Sequence, residues 1–472
     1  METRLAALAI DPGSIAGCAW GDGDAAQIAR RLSVARASQR TSHRARAAHS
    51  APVAAPPEVV LEVHVLSFEG PDPYAHVGGA ARRVRGLTRS LSSKGHETHL
   101  WFVGAPDAPG QETRRDADGA ALHLHRWCQW LSAGLPNGVY DGEAEKVDDY
   151  QRSLPPSLFE RLAPKLMAGE RATILAEEHQ TVGAVVQLDA LLRQAGLRER
   201  VTLGWNASDT YGFERIDWAA LDAAATVTTV TESMRALLRE RGVDALLVPN
   251  GLDEEAFEPV PRKALRRLRG RLRERLLLAK VGVFDPRERW EEAMQVVASL
   301  KAQGELPLLV ARGVGGDGSA ARERARALGL RVAFRAFDAG ADGAEMGLRG
   351  LEAVDVLFAE GPLDREAERT LLRGATAVLT QRDGATSGLL ELETMAAGGV
   401  ACTGHAEAFC EPGENALVLG GGPREVSGAL EGLAHRPREA TRIRRGARRT
   451  ARRFRWPKVV EERLRVAPAA HA

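Results

Sequence analysis

The sequence changes period once, between residues 374 and 400, and the change fixes the class of fold that can hold it. Ala375–Thr380 is a short apolar run with a β-branched bias, which reads as a buried strand. Asp383–Gly388 is small and polar, with two glycines and two hydroxyls, which reads as a loop. Leu389–Ala397 has apolar residues at helical spacing and stops at Gly398-Gly399, a C-cap signal. A strand, a Gly/Ser/Thr loop and a helix in succession present backbone N–H groups at a helix N-terminus to a phosphate or a sugar. Glu391 and Glu393 fall in that helix's first turn. Positions two apart do not share a helix face, so only one of them faces the loop, and Glu391 reads as solvent-exposed.

A chain of 472 residues has room for two to three domains. Its 44% hydrophobic and 27% charged residues are ordinary for a globular protein, and a net charge of +1 exerts no global pull toward nucleic acid or membrane. Cys18, Cys128, Cys402 and Cys410 are dispersed without a Cys-x-x-Cys pair, which argues against a structural zinc or a disulfide framework and suits a reducing cytosol. No run of 18 apolar residues predicts a spanning helix, and the N-terminus lacks a signal-type apolar core, so a cytoplasmic location is expected.

Residues 1–57 are dominated by Arg, Ala and Ser and close at Pro56-Pro57. They read as disordered; a basic tail and a transit peptide share this composition. Strand Leu61–Ser67 follows, then Val77-Gly78-Gly79 opening an amphipathic helix to about Ser93, then strand Glu97–Val103. Gly78 and Gly79 let the backbone come close to a ligand, or let helix and sheet pack tightly. Residues 104–160 are rich in turn residues and aromatics. Strand Arg171–Ala176 ends in Glu177-Glu178-His179-Gln180, which puts His179 at a sheet crevice or leaves it on a solvated loop. Residues 253–275 read as a linker with a solvated arginine helix. A second alternation begins at Leu276. There Arg312-Gly313-Val314-Gly315-Gly316 after a strand is again phosphate-loop-like, with Arg312 as a cation at the crevice, and residues 337–352 read as loop. A helix over Glu439–Arg453 precedes the anchors Phe454 and Trp456. Its basic cluster Arg442–Arg455 suits contact with anionic lipid, or packing back on the first domain. The expected fold class is α/β: doubly wound, Rossmann-like domains at 58–252 and 276–435, joined by 253–275, with 436–472 returning to the first.

Several stretches, in this order and spacing, resemble one family. They are Val77-Gly78-Gly79; Val230-Thr231-Glu232-Ser233-Met234; Val248-Pro249-Asn250-Gly251-Leu252-Asp253; Gly282-Val283-Phe284-Asp285-Pro286; and Leu392-Glu393-Thr394-Met395-Ala396-Ala397-Gly398. The chain resembles a retaining glycosyltransferase of the family-4 kind (GT4), whose GT-B fold sets two doubly wound domains around a cleft. The resemblance implies a nucleotide-sugar donor bound mainly by the second domain and a saccharide or lipid-linked acceptor held by first-domain loops. It implies no protein-bound metal and no cofactor beyond the nucleotide-sugar, which is a substrate. No aromatic-and-basic surface points to nucleic acid.

On this resemblance Glu393 holds the nucleotide ribose. Thr386, Ser387 and the N–H groups of Gly388 and Leu389 contact the diphosphate or sugar, and Gly78 and Gly79 close on the donor phosphate. Arg289 and Arg312 supply positive charge, and His179, with Gln180 as its rival in register, faces the transferred sugar. The chain also departs from the family. The first motif glutamate falls at Ala385, the Arg of the Gly-Arg-x-Asp-Pro pattern at Val283, and the phosphate-binding Lys at Glu288 or Arg289. The alternative is therefore a degenerate relative that acts as a binding or scaffold protein. Glu391, one helix position off, is a weaker substitute for the missing carboxylate.

Overall fold

Short runs of aliphatic and β-branched residues, each followed by a stretch of helical period, favour strands buried on both faces and therefore parallel sheets covered by helices. The computed structural model of the protein describes residues 62–116, 119–272, 275–314, 318–336, 350–361, 363–384, 387–405 and 407–464. The arginine-rich segment 1–57, most of the loop expected at 337–352, Gly315 and Gly316, and Ala385 and Thr386 lie outside the described residues.

The first sheet takes β1 (Glu62–Leu66), β2 (Glu97–Val103), β3 (Gln111–Arg115), β4 (Ala121–Trp127), β5 (Ala172–Glu177), β6 (Val201–Ala207), β7 (Thr226–Thr229) and β8 (Leu246–Leu247), in the order β3-β4-β2-β1-β5-β6-β7-β8. Every pairing is parallel except that of the polar edge strand β3 with β4. The second sheet takes β9 (Leu276–Val283), β10 (Pro307–Val314), β11 (Val332–Ala336), β12 (Val356–Glu360), β13 (Ala377–Leu379), β14 (Ala401–Thr403) and β15 (Leu417–Val418), in the order β11-β12-β10-β9-β13-β14-β15, all parallel. This is the α/β, doubly wound architecture of a GT-B protein.

Three local expectations are corrected. Residues 104–160 are not mainly turns: they hold β3, β4 and most of a helix over Glu143–Met167. Pro155, Pro156 and Pro164 masked it, yet they sit within that helix, whose Tyr150, Leu154, Leu158 and Leu162 are all buried. The Arg312-Gly313 stretch is not a loop, because β10 runs on through Val314 in register with β9. Glu391 is not exposed: only 3% of it is accessible.

The chain returns to its first domain at the end. Trp456, Val459 and Val460 join the core formed around β1, β2, β5 and β6. The indole of Trp456 fills the space that side chains would need at Gly86 and Gly251. The outgoing and returning crossings are tied to each other: Leu252 N–H donates to Phe454 O at 2.7 Å, and Trp456 N–H donates to Leu252 O at 3.2 Å.

Candidate functional site

The two sheets face each other across a cleft at the C-terminal ends of their strands, where open α/β sheets bind ligands. On the second-domain side, β13 leads through the loop to the helix Leu389–Ala397. Its N-cap, Gly388, has φ +65°, and a Cβ there would lie 2.9 Å from the Phe409 ring, so only glycine fits. Glu391 and Glu393 then point to different sides, as their spacing requires. Glu391 turns inward toward Thr380, Glu407 and Arg382; burial pushes its carboxyl up, and the Thr380 hydroxyl pulls it down. Glu393 faces the first domain.

There it meets the helix Gly79–Ser93. Arg82 Nη1 donates to both Glu393 oxygens, at 3.0 and 2.9 Å, and Arg365 lies 3.7 Å from one of them. Burial pushes the Glu393 carboxyl up and Arg82 pulls it down, while the Glu393 charge holds Arg82 more basic than usual. The next residue, Arg83, points into its own domain. Its Nε donates to both oxygens of Glu177 at 3.0 and 2.9 Å, and its Nη1 to Asn250 Oδ1 at 3.0 Å. Neighbouring helix positions stand about 100° apart, so the arginine pair serves two sides of the cleft.

Gly78 and Gly79 stand where the two domains meet. A Cβ on Gly79 would lie 3.7 Å from Leu389 Cδ2. The N–H groups of Gly78 and Ala81 at the start of this helix donate to Glu69 Oε2 at 3.1 and 3.0 Å. Ser387 O accepts from Asn250 Nδ2 at 2.8 Å.

The cations distribute unevenly. Arg312 is half-buried on β10, 3.5 Å from Gly361 O, and burial lowers its basicity. Arg289 has φ +52° and turns to Glu292 at 2.9 Å and Asp383 at 3.5 Å. Val283, which takes the family's arginine position, is 48% exposed at the end of β9. Glu288 pairs with Arg382 at 3.6 Å, and Arg382 also lies 3.6 Å from Asp209 of the first domain. Sequence reasoning missed Arg82 and Arg382, as well as Lys280, which is buried on β9. Its Nζ donates to Gln381 O at 3.0 Å, and burial lowers its pKa to about 8.

His179 sits in the turn after β5, packed edge-on against Tyr211 at 5.1 Å, with Nε2 3.6 Å from Glu143. Gly212, at φ +76°, leaves room for its ring. Burial lowers the His179 pKa. Gln180 Nε2 donates to the same Glu143 oxygen at 2.9 Å, so both register candidates face one carboxylate. Beside them Glu178, at φ +68°, accepts from the Ser208 N–H and hydroxyl, and burial pushes its carboxyl up to about 8.

Among the described residues, two groups that share His99 have metal-ligand chemistry: one with Glu62 and His64, the other with Glu97 and His123. Glu62, His64 and His99 bring ligand atoms within 4.8 Å of one another at the opposite end of the first sheet. Their contacts do not fit a metal. The Trp101 indole donates to His64 Nδ1 at 3.0 Å, so the neutral ring carries its proton on Nε2, the atom nearest Glu62. The His64 and His99 rings are stacked within 9° of parallel, so no single point lies in both planes, and Lys165 already holds Glu62 at 2.7 Å. With His123 on the next strand they form a stacked ladder.

Residues 77–256 match the family model Glycosyltransferase Family 4. No curated protein sequence matches the chain. Among solved structures, the sucrose-phosphate synthase of Thermosynechococcus elongatus is 17% identical, with a TM-score of 0.60 over 86% of this chain and 98% of its own. The catalytic domain of starch synthase IV from Arabidopsis thaliana, bound to ADP and acarbose, is 12% identical, with a TM-score of 0.61 over 87% and 99%. Anabaena HepE in complex with UDP is 13% identical, with a TM-score of 0.56 over 86% and 99%. The family-4 match covers the first domain, at residues 77–256, and the likeness of fold to these structures extends over both domains.

Proposed function

We propose that the protein transfers a sugar from a nucleotide-sugar to a saccharide or lipid-linked acceptor, with retention of anomeric configuration and without a cofactor. The observation that carries this reading is the meeting of the Gly79 and Leu389 helices across the cleft, with Glu393 turned to the interface. Glu393 holds the ribose, and Thr386, Ser387 and the N–H groups of Gly388 and Leu389 take the diphosphate or the sugar. Arg312 and Arg289 supply charge against the leaving diphosphate. Gly78 and Gly79 bring the first domain close to the donor, and His179 faces the transferred sugar. The UDP and ADP bound by two similar structures make those nucleotides the first probes.

The test is a thermal-shift screen of the full chain against nucleoside diphosphates and nucleotide-sugars. A ligand at about a hundred times its Kd adds about 2.7 kcal/mol of stability. A shift with one nucleotide, abolished in Glu393→Ala, supports the donor site; no shift in folded protein rejects it.

Specific observations favour a second reading, a binding or scaffold protein on the same fold. Val283 brings no charge, Arg382 ties up Glu288, and Glu69 takes the Gly78 N–H. Removing one transition-state donor costs about 10²–10³ in rate, and two replacements weigh heavily against turnover. We further propose a cytoplasmic protein that meets anionic membrane and not nucleic acid. The exposed Arg438, Arg442, Arg445 and Arg449 line one groove of the helix Pro437–Ala451, and no described helix is long and apolar enough to cross a membrane. Failure to sediment with phosphatidylserine vesicles would reject the membrane contact.

A further inference from the structure

Glu393 is the motif carboxylate that the chain retains, and one guanidinium nitrogen already engages both of its oxygens. The space beside the pair is about 30 Å³, bordered by Arg82, Asp253, Arg365, Glu368, Leu389 and Glu393. That holds a water or two, whereas small-molecule pockets run to about 300–1,000 Å³. A ribose therefore needs both the lone pairs and the volume that Arg82 occupies. Arg82 also has a second carboxylate to move to, because Glu368 lies 3.6 Å from its Nη1. The helix beneath it is held by Arg83 on Glu177, so the exchange requires the Arg82 side chain to move and leaves its backbone in place.

We propose that Arg82 is an interdomain latch that competes with the donor: it ties the first domain to Glu393, and the ribose of a nucleoside diphosphate binds by displacing it toward Glu368. This rests on the donor-site reading above and adds a gate to it. The guanidinium that excludes the nucleotide is the group released beside it once the nucleotide is bound.

The test is calorimetric titration of the full chain with UDP and with ADP, in wild type, Arg82→Gln and Arg82→Lys. Small-angle scattering is measured on the same proteins without nucleotide. A latch closed in about nine molecules of ten lowers apparent affinity about tenfold, so Arg82→Gln should bind about tenfold tighter and scatter with a larger radius of gyration. Arg82→Lys keeps the charge with a weaker hold and should fall between the two; it carries the test if Arg82→Gln does not fold. Unchanged or weaker binding in the variants overturns the latch. Absence of binding by all three folded proteins, with Arg82→Gln opening in scattering, overturns the donor reading and leaves the pair as a plain bridge between domains.

Discussion

The Asn250 side chain donates to the Ser387 carbonyl at 2.8 Å, so the turn that ends the first domain holds the loop at the head of the Leu389 helix. The Asn250 oxygen accepts from Arg83 at 3.0 Å, which links that loop to the buried Glu177. Asn250→Ala would take this partner from the Ser387 carbonyl and from Arg83 Nη1, at a cost of about 1–3 kcal/mol. Chemical denaturation should read that loss, and the nucleotide-induced thermal shift should shrink in the same variant. Full nucleotide binding with only the stability loss would confine Asn250 to a structural role.

Arg83 and Glu177 are 4% and 2% exposed, and Asn206 Nδ2 adds a third contact at 2.8 Å. Removing one partner strands a buried charge, so Arg83→Met should cost about 3–5 kcal/mol in urea denaturation. The double change Arg83→Met with Glu177→Leu should recover most of it. A double variant as unstable as the single one would show that the pair does more than neutralise itself.

These two arginines show what the sequence discloses and what it withholds. The strand-loop-helix at 374–400 was legible because Gly388 and Gly398 punctuate it and the period changes between them. The helix that opens at Gly78 and Gly79 was legible by the same punctuation, whereas its approach to the Leu389 helix was not. The helix over 143–167 was hidden because prolines usually end helices, and these sit where buried leucines on either side hold the helix together. The partners of Arg82 and Glu393 were illegible for another reason. They lie 311 positions apart and meet across the two domains, Glu393 buried and Arg82 half-buried. Glu391 looked exposed for the same cause, since a helix packed on two sides has no solvent face for its pattern to reveal.

Glu178 should make stability fall as pH rises. Its folded-state pKa of about 8 lies above the ordinary 4.5, so the folded protein keeps a proton that the unfolded chain has lost. The contribution is complete below about pH 4.5 and is lost progressively up to pH 8. Glu178→Gln mimics the neutral acid and should match wild type at pH 5 while melting higher at pH 9. Equal melting temperatures at pH 9 would show that the carboxyl is not held neutral.

The histidine ladder should act in the opposite direction. Burial lowers the pKa values of His64 and His99 below 6.5 and brings that of His125, whose Nε2 lies 3.0 Å from His99 Nδ1, to about 4. The unfolded chain therefore takes up protons first as pH falls, and stability drops from about pH 6.5 toward pH 4. Melting curves between pH 7 and 4.5 should show this, and His125→Gln should flatten the slope. The same slope in that variant would assign the acid sensitivity elsewhere.

The return of Trp456 to the first core sets a clock on biosynthesis. The first domain's own strands are complete by Leu252, but its indole plug is made 204 residues later. At about 5–20 residues per second the ribosome takes about 10–40 s to cover that distance. Through that interval the pocket beside Gly86 and Gly251 stands open on a nascent chain, and the usual order, in which the leading domain finishes before the trailing one begins, is reversed for its last step. Chaperone demand, and the penalty for a ribosome that stops before residue 456, should therefore fall on the half of the protein that was translated first.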